Sequence, residues 1–88
     1  MKKADSLMTF PCDFPIKIIG NNHHSFMNEI NELVRKHFPN TEDKSIRSQP
    51  SKEGNFLAIS ILLHVLDQAT LDALYVDLSK HPEVKMVL

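Results

Sequence analysis

The sequence is poor in cysteine, glycine and proline, with one, two and five of these residues in a chain of 88. The single thiol, Cys12, cannot form a disulfide within the chain, so the packing of apolar side chains must stabilise the fold. With 42% hydrophobic and 24% charged residues, the composition excludes collagen-like and disordered chains. This length leaves room for one small globular domain. We expect that domain at residues 10–88, behind a flexible tail at residues 1–9.

Long hydrophobic runs are missing too. A bilayer span needs roughly 20 apolar residues, whereas the apolar run at residues 61–63 lies between Ser60 and His64. Lys2 and Lys3 are not followed by an apolar segment, so the sequence does not predict a signal peptide. A lone thiol without an export signal predicts a cytoplasmic protein that has no membrane partner.

The chain also lacks an excess of charge of either sign. Ten lysine and arginine residues and eleven aspartate and glutamate residues give a formal net charge of −1. Proteins that hold duplex nucleic acid through phosphate contacts are usually much more basic. The charge balance therefore disfavours nucleic acid as a partner.

The chain does contain apolar patterns of two periods. A period of two residues predicts strands, and a spacing of three and four residues predicts helices. In chain order, these patterns predict a strand at 14–19, a helix at 26–38, a weak strand at 45–48, a strand at 56–65, a helix between Asp67 and Pro82, and a strand at 84–88. Asp67 is the expected cap of the second helix, and Gly54 is expected to have a positive φ in the hairpin between the second and third strands.

The order β-α-β-β-α-β is that of the ferredoxin-like sandwich, an α+β fold. It predicts a four-stranded antiparallel sheet in the order 4-1-3-2, with both helices on one face. The other face of the sheet is then open.

Several short motifs carry a resemblance to a known family. They are Phe14-x-x-Lys17-x-x-Gly20, Pro50-Ser51-x-x-Gly54-Asn55-Phe56, Ser60, Leu74-Tyr75-x-x-Leu78 and Val84-Lys85-Met86-Val87-Leu88. Through these motifs, residues 10–88 resemble the YbeD family of small bacterial proteins. The resemblance implies a ferredoxin-like fold similar to the ACT regulatory domain, in a cytoplasmic protein. It implies no catalytic residues, because the family has no established biochemical role.

The alternation of side chains along each strand predicts which of them face the helices. The predicted inward set is Phe14, Ile16, Ile18, Leu57, Ile59, Ile61, Leu63, Val65, Val84, Met86 and Leu88. The predicted outward set is Lys17, Ile19, Phe56, Ser60, Leu62, His64, Lys85 and Val87. Arg47 is added to the outward set, although its strand is too short to fix the direction of its side chain.

The open face offers two interpretations. In the strand order 4-1-3-2, Lys17 and Lys85 are expected on neighbouring strands, where two cations repel unless an anionic group lies between them. One interpretation is a solvated face whose lysine stems cover apolar neighbours. The other is a surface that binds a small anion or an acidic partner through Lys17, Lys85, Arg47 and Ser60, with Phe56 as an apolar contact. The apolar content of the face also predicts a protein partner or self-association there.

The loop at residues 20–25 is a second candidate site. In ACT-like domains, the loop between the first strand and the first helix commonly binds small regulatory ligands between subunits, and the resemblance implies the same for Gly20, Asn21 and Asn22. Glycine permits a close approach to the backbone, and free amides at the start of a helix favour an anion. An ordinary strand-to-helix turn is the alternative.

The residues that could carry catalysis or bind a metal are poorly arranged for either. His23 and His24 point in divergent directions, with no cysteine or carboxylate at a ligand spacing nearby. An acidic neighbour disfavours the thiolate of Cys12, and Ser60 and His64 are about 13 Å apart along one strand. The sequence therefore predicts no metal, no cofactor and no enzymatic activity.

RNA binding remains as an alternative function, because RNA-recognition domains share this topology. Those domains stack bases on two or three aromatic side chains of the central strands, and only Phe56 is available here. We therefore predict a non-enzymatic regulatory or interaction module that binds a small anionic metabolite or a protein partner. The alternative is an RNA-associated protein that uses the open sheet face.

Overall fold

A computed structural model describes residues 9–88. The predicted flexible tail at residues 1–9 lies outside the described residues, apart from Thr9, which is exposed. The elements are β1 (Cys12–Asn21), α1 (Phe26–His37), a short 3-10 helix (Asp43–Ser45), β2 (Ile46–Pro50), β3 (Phe56–Val65), α2 (Gln68–Lys80) and β4 (Val84–Val87).

The two long strands form the centre of the sheet. β1 and β3 are antiparallel over ten residue pairs, from Cys12 opposite Val65 to Asn21 opposite Phe56. β2 lies outside β3 and β4 lies outside β1, which gives the order β2-β3-β1-β4. The predicted ferredoxin-like fold and its strand order are therefore confirmed.

The core lies between the sheet and the two helices. The alternating apolar residues of β1 and β3 supply one side of it, as predicted, and each helix supplies one apolar stripe. The fully buried residues of largest volume are Ile16, Ile18, Ile59, Ile61, Leu63 and Val65 from the sheet, Phe26, Ile30 and Val34 from α1, and Leu71, Leu74 and Leu78 from α2.

Two local predictions at the ends of elements are confirmed. Oδ1 of Asp67 accepts hydrogen bonds from the backbone N–H and the hydroxyl of Thr70, both at 2.8 Å, and so caps α2. These two bonds lower the pKa of the Asp67 carboxyl. Gly54 has a φ of +80° in the β2–β3 hairpin.

The side chains of β4 do not all point in the predicted directions. Val84 lies opposite Gly20, Met86 opposite Ile19 and Val87 opposite Ile18, so the register shifts by one residue between Ile19 and Gly20. This β-bulge reverses the direction of the side chains beyond it. Met86 and Leu88, predicted inward, are 50% and 61% exposed. Val87, predicted outward, packs against the core.

Candidate functional site

One row of polar side chains crosses the open face of the sheet. Ser60 of β3 lies opposite Lys17 on β1 and opposite Arg47 on β2. Side chains at paired positions point to the same face, so the expected outward direction of Arg47 is confirmed. The row Arg47–Ser60–Lys17 thus holds two cations with a hydroxyl between them.

Leu88 extends this row past the end of β4. Its N–H donates to the Lys17 carbonyl at 2.8 Å, and its carbonyl accepts the Lys17 N–H at 3.0 Å. An apolar side chain that is 61% exposed therefore lies directly beside Lys17.

Apolar side chains flank the row on both sides. On one side Ala58 lies opposite Ile19, and Met86 lies beyond Ile19. On the other side Leu62 lies opposite Pro15. The two cations therefore occupy a polar strip between two apolar strips.

The positive and negative side chains of the open face are separated from each other. Neither Lys17 nor Arg47 forms a salt bridge with any residue in the part of the chain that the structure describes. The carboxylate of Asp13 lies at the far end of β1, where its Oδ1 is 3.0 Å from Nδ1 of His64. The centre of the face therefore carries positive charge that the fold itself does not neutralise.

A shallow depression of about 710 Å³ lies over this part of the sheet. It brings together four of the predicted site residues, Lys17, Arg47, Phe56 and Ser60. Its floor also includes Ile19 and Ala58, so it offers apolar contacts beside the two cations.

Lys85 is not part of this group. It is the extra residue of the β-bulge, between Val84 and Met86. It lies in a groove beside α2, together with Tyr75 and Val76. The prediction that Lys17 and Lys85 lie side by side is wrong, because Leu88 is the neighbour of Lys17 on that side.

Gly20 approaches other parts of the chain very closely. A Cβ atom at this position would lie 2.5 Å from the carbonyl oxygen of Glu83 and closer still to the ring of Phe26. The space beside Gly20 is therefore filled by the ring of Phe26 and the backbone of Glu83, which belong to the same chain.

Asn21 and Asn22 use their donors within the fold. The backbone N–H of Asn21 donates to the Glu83 carbonyl at 3.0 Å, and its side-chain amide donates to Oε1 of Glu83 at 2.6 Å. The backbone N–H of Asn22 donates to the Asn55 carbonyl, and its side-chain amide donates to the Gly54 carbonyl, each at 3.0 Å. An anion approaching this loop would find each of these four donor groups already bonded within the fold, and the Glu83 carboxylate beside them.

Three histidines pair with carboxylates on other elements. Nε2 of His37 donates to Oδ2 of Asp77 at 2.7 Å, and Nε2 of His81 donates to Oε1 of Glu29 at 2.8 Å. The bond from His37 lowers the pKa of the Asp77 carboxyl, and bonds from Ser25 and His81 lower the pKa of Glu29. The third pair is His64 with Asp13, and all three connect elements that are distant in the sequence.

The geometry offers little support for metal or RNA chemistry. Within residues 9–88, no three histidine, cysteine, aspartate or glutamate side chains lie close enough to share a metal ion. His23 and His24 make an edge-to-face contact, with ring centroids 5.7 Å apart. Of the phenylalanine and tyrosine rings in β1 and β3, Phe56 is the one at an outward position. A second stacking platform for bases is therefore not provided by the two central strands.

Neither helix that the structure describes is long and apolar enough to cross a membrane.

A family model described as "Protein of unknown function (DUF493)" matches residues 5–88. The chain is similar to bacterial proteins named "UPF0250 protein". It is 37% identical over 84 residues to one from Paraburkholderia phymatum, covering 96% of this chain and 94% of the relative. It is 39% identical over 86 residues to one from Chromobacterium violaceum, covering 98% of this chain and 97% of the relative.

In structure the chain is similar to the ACT domain from GTP pyrophosphokinase of Chlorobium tepidum. The crystal structure of that domain aligns with a TM-score of 0.67 and 23% identity, over 88% of this chain and 97% of the domain. Its solution NMR structure aligns with a TM-score of 0.66 and 22% identity, over 86% and 84%. At these identities the likeness is one of fold, and it agrees with the predicted ACT-like arrangement.

Proposed function

This chain belongs to the DUF493 family of bacterial proteins, and we propose that it is a non-enzymatic regulatory or interaction module. Its binding surface is the open sheet face, and its ligand carries an anionic group. The observation that supports this proposal is the unneutralised row Arg47–Ser60–Lys17 between two apolar strips.

The spacing of the row suits one anionic group. Adjacent strands lie about 4.8 Å apart, so the backbones of Arg47 and Lys17 are separated by about twice that distance, with Ser60 midway. Long side chains that reach inward from both sides can contact the same carboxylate or phosphate, and the Ser60 hydroxyl can donate to it from below.

The apolar strips indicate which class of ligand fits the open face. A small hydrophilic anion would contact the row and leave Ile19, Met86 and Leu62 in water. An acidic side chain with apolar neighbours, carried on a protein segment, would cover the row and the strips together. The shallow form of the depression favours this protein partner over a small metabolite, because small ligands are usually buried in deeper clefts.

The charges also argue against this face pairing with itself. In a twofold dimer the same patch lies on both subunits. Two copies of the row would then bring four cations together with no carboxylate between them. We therefore propose a partner other than a second copy of the chain.

A peptide titration tests the proposal. The probe is a short acetylated peptide with one glutamate between leucines, added to isotope-labelled protein and followed by NMR. We expect the amide resonances of Lys17, Arg47 and Ser60 to shift, and the same peptide with glutamine to bind about tenfold more weakly. Lys17→Glu and Arg47→Glu should abolish the shifts.

Lys85→Glu is the matched control. It makes the same charge change on the neighbouring strand, outside the row, and should leave the titration unchanged. Equal binding of the glutamate and glutamine peptides, or equal loss in all three variants, would contradict the proposed site. Titration with succinate tests a small anionic metabolite, and titration with oligouridine at two salt concentrations tests RNA. If succinate or oligouridine binds more strongly than the glutamate peptide, the ligand of the open face is a small metabolite or RNA and not a protein segment.

A further inference from the structure

A second concavity, of about 410 Å³, lies at one end of the molecule. It is formed where the end of α1, the segment before β2, the end of β3 and the start of α2 meet. We call it the end cavity and define it by Asp13, Phe38, Glu42, Leu62, Leu66 and Asp67, which line it. The row Arg47–Ser60–Lys17 is not part of its lining.

The end cavity has an apolar floor. Phe38 lines it and is itself 8% exposed. Leu62 and Leu66 line it from β3 and from the residue after β3, and they are 48% and 66% exposed. Two large aliphatic side chains left in water beside a concavity indicate a surface that is suited to an apolar ligand.

Apart from two histidines, its charged groups are of one sign. Three carboxylates line the cavity, those of Asp13, Glu42 and Asp67, together with His37 and His64, and no lysine or arginine is among the described residues that line it. The nearest cation to Glu42 is Lys44, at 3.6 Å, and its side chain is 81% exposed to solvent. A cation held so loosely in water neutralises the carboxylate only weakly.

The carboxylates of Asp13 and Asp67 each have one oxygen atom outside their hydrogen bonds. The two hydrogen bonds to Asp67 both use Oδ1, and the histidine contact of Asp13 also uses Oδ1. The bonds from Thr70 hold the pKa of Asp67 below its ordinary value, so this group is ionised at neutral pH.

From the cavity, its apolar floor and its three carboxylates, we infer that the end cavity binds an organic cation, an amine carried on an apolar body. The apolar body contacts Phe38, Leu62 and Leu66, and the ammonium group lies among the carboxylates. The volume is within the range of roughly 300–1,000 Å³ that small-molecule sites occupy. This ligand has the opposite charge to the one proposed for the open face.

The test uses three probes of nearly the same shape: phenethylamine, 2-phenylethanol and phenylacetate. Each is titrated into the isotope-labelled full chain and followed by NMR. We expect phenethylamine to shift the amide resonances of Phe38, Leu62 and Leu66 and to leave those of Lys17 and Ser60 in place. The neutral and anionic probes should bind at least about tenfold more weakly.

Two exposed carboxylates can be changed without disturbing the α2 cap at Asp67. The double variant Asp13→Asn, Glu42→Gln should weaken phenethylamine about tenfold or more, while 2-phenylethanol binding and the thermal unfolding midpoint should change little. The double variant Glu32→Gln, Glu53→Gln is the control, because it makes the same charge change at two exposed residues outside the cavity lining, and it should leave phenethylamine binding unchanged.

Two results would overturn the inference. One is equal binding of the three probes, or no shift with phenethylamine up to its solubility limit. The other is phenethylamine binding that the double variant does not weaken. Neither result would bear on the peptide titration at the open face, because that titration is read at Lys17, Arg47 and Ser60, and Leu62, which borders both surfaces, is changed in neither test.

Discussion

Gly20 lies where β1, the start of α1 and the segment before β4 meet. The ring of Phe26 and the carbonyl of Glu83 occupy the space that a Cβ would take. Protein cores respond to added volume with shifts of backbone or side chain that cost about 1–3 kcal/mol. At the scale of single residues, any side chain added at position 20 is therefore expected to lower the stability of the fold.

We predict that Gly20→Ala lowers the free energy of unfolding by about 1–3 kcal/mol, measured by urea denaturation. Phe26→Leu, which shortens the side chain that faces Gly20, should be destabilising by itself. The double variant should lose less than the sum of the two single variants, because the smaller side chain admits the new methyl group. Strict additivity of the two losses would show that the ring of Phe26 does not limit the space at Gly20.

The same residue shows how far sequence reasoning reaches at a single position. The sequence predicts that Gly20 allows a ligand to approach the backbone closely, whereas the atoms that approach it in the structure belong to Phe26 and Glu83. Asn21 and Asn22 were predicted to face an anion, whereas they bond to Glu83 and Gly54. Those partners lie 62 and 32 residues away in the chain, so no local pattern could identify them.

At the scale of elements, the strands β3 and β4 differ in how far their side-chain directions could be predicted from the sequence. Strict alternation over residues 57–65 fixed both the existence and the facing of β3. The four residues of β4 carry the same apolar pattern, yet the bulge at Ile19 and Gly20 turns Met86 outward and Val87 inward. A one-residue shift depends on how two strands meet, and apolar side chains at both Met86 and Val87 give no signal of it.

An aspartate scan of β4 tests this register. We predict that Val87→Asp lowers the free energy of unfolding by about 1–3 kcal/mol more than Met86→Asp, because it places a charge against the core. Both variants introduce the same residue into the same strand, so strand propensity largely cancels. A greater loss of unfolding free energy in Met86→Asp than in Val87→Asp would contradict the bulge. It would indicate that Met86 faces the core, as a strict alternation of side chains predicts.

The contact between α1 and α2 predicts a dependence of stability on pH. Asp77 accepts bonds from His37 at 2.7 Å and from Lys36 at 3.4 Å, and the bond from His37 is the main cause of its lowered pKa. A carboxyl whose pKa is lower in the folded state than in the unfolded state stabilises the fold while it is ionised. This stabilisation is fully present at pH values above the ordinary pKa of about 3.9, and it is lost as the pH falls through the lower pKa of the folded state.

We therefore predict that Asp77→Asn lowers the thermal unfolding midpoint at neutral pH, and that its difference from the unmodified chain narrows as the pH approaches about 2. Asp72→Asn is the control, since Asp72 accepts a bond from Gln68 within the same helix. A difference at Asp77 that stays constant down to the lowest pH would contradict an ionic origin.

At the scale of the whole molecule, the order of elements and the sheet topology were predicted correctly from periodicity. The motif resemblance to the YbeD family is likewise confirmed by the family match. The pairing of Arg47 with Ser60 was not predicted, because β2 is too short for its sequence to fix a register. The end cavity was not predicted, because it combines residues from three separate stretches of the chain, at position 13, within 37–45 and within 62–70, that share no sequence pattern.

The charge of the open face leads to a prediction about assembly. We expect the chain to remain monomeric at micromolar concentrations, because face-to-face pairing would bring together two copies of Lys17 and Arg47. Replacing both by methionine leaves an apolar strip in place of the charged one and should promote self-association, measured by sedimentation equilibrium.

The control is the replacement of Lys52 and Lys85 by methionine, which removes the same charge elsewhere and should leave the chain monomeric. A dimer of the unmodified chain that the Lys17 and Arg47 replacements weaken would show that these cations hold copies together.

The central position of β1 also sets the order in which a newly synthesised chain can fold. β1 is made first, yet its neighbours in the sheet are β3 and β4, and Ile18 lies opposite Val87. On the ribosome, one flank of this strand therefore stays unpaired until the final residues of the domain have emerged. Pairings between such distant segments form slowly, so the nascent chain exposes the apolar side chains of β1 for most of its synthesis.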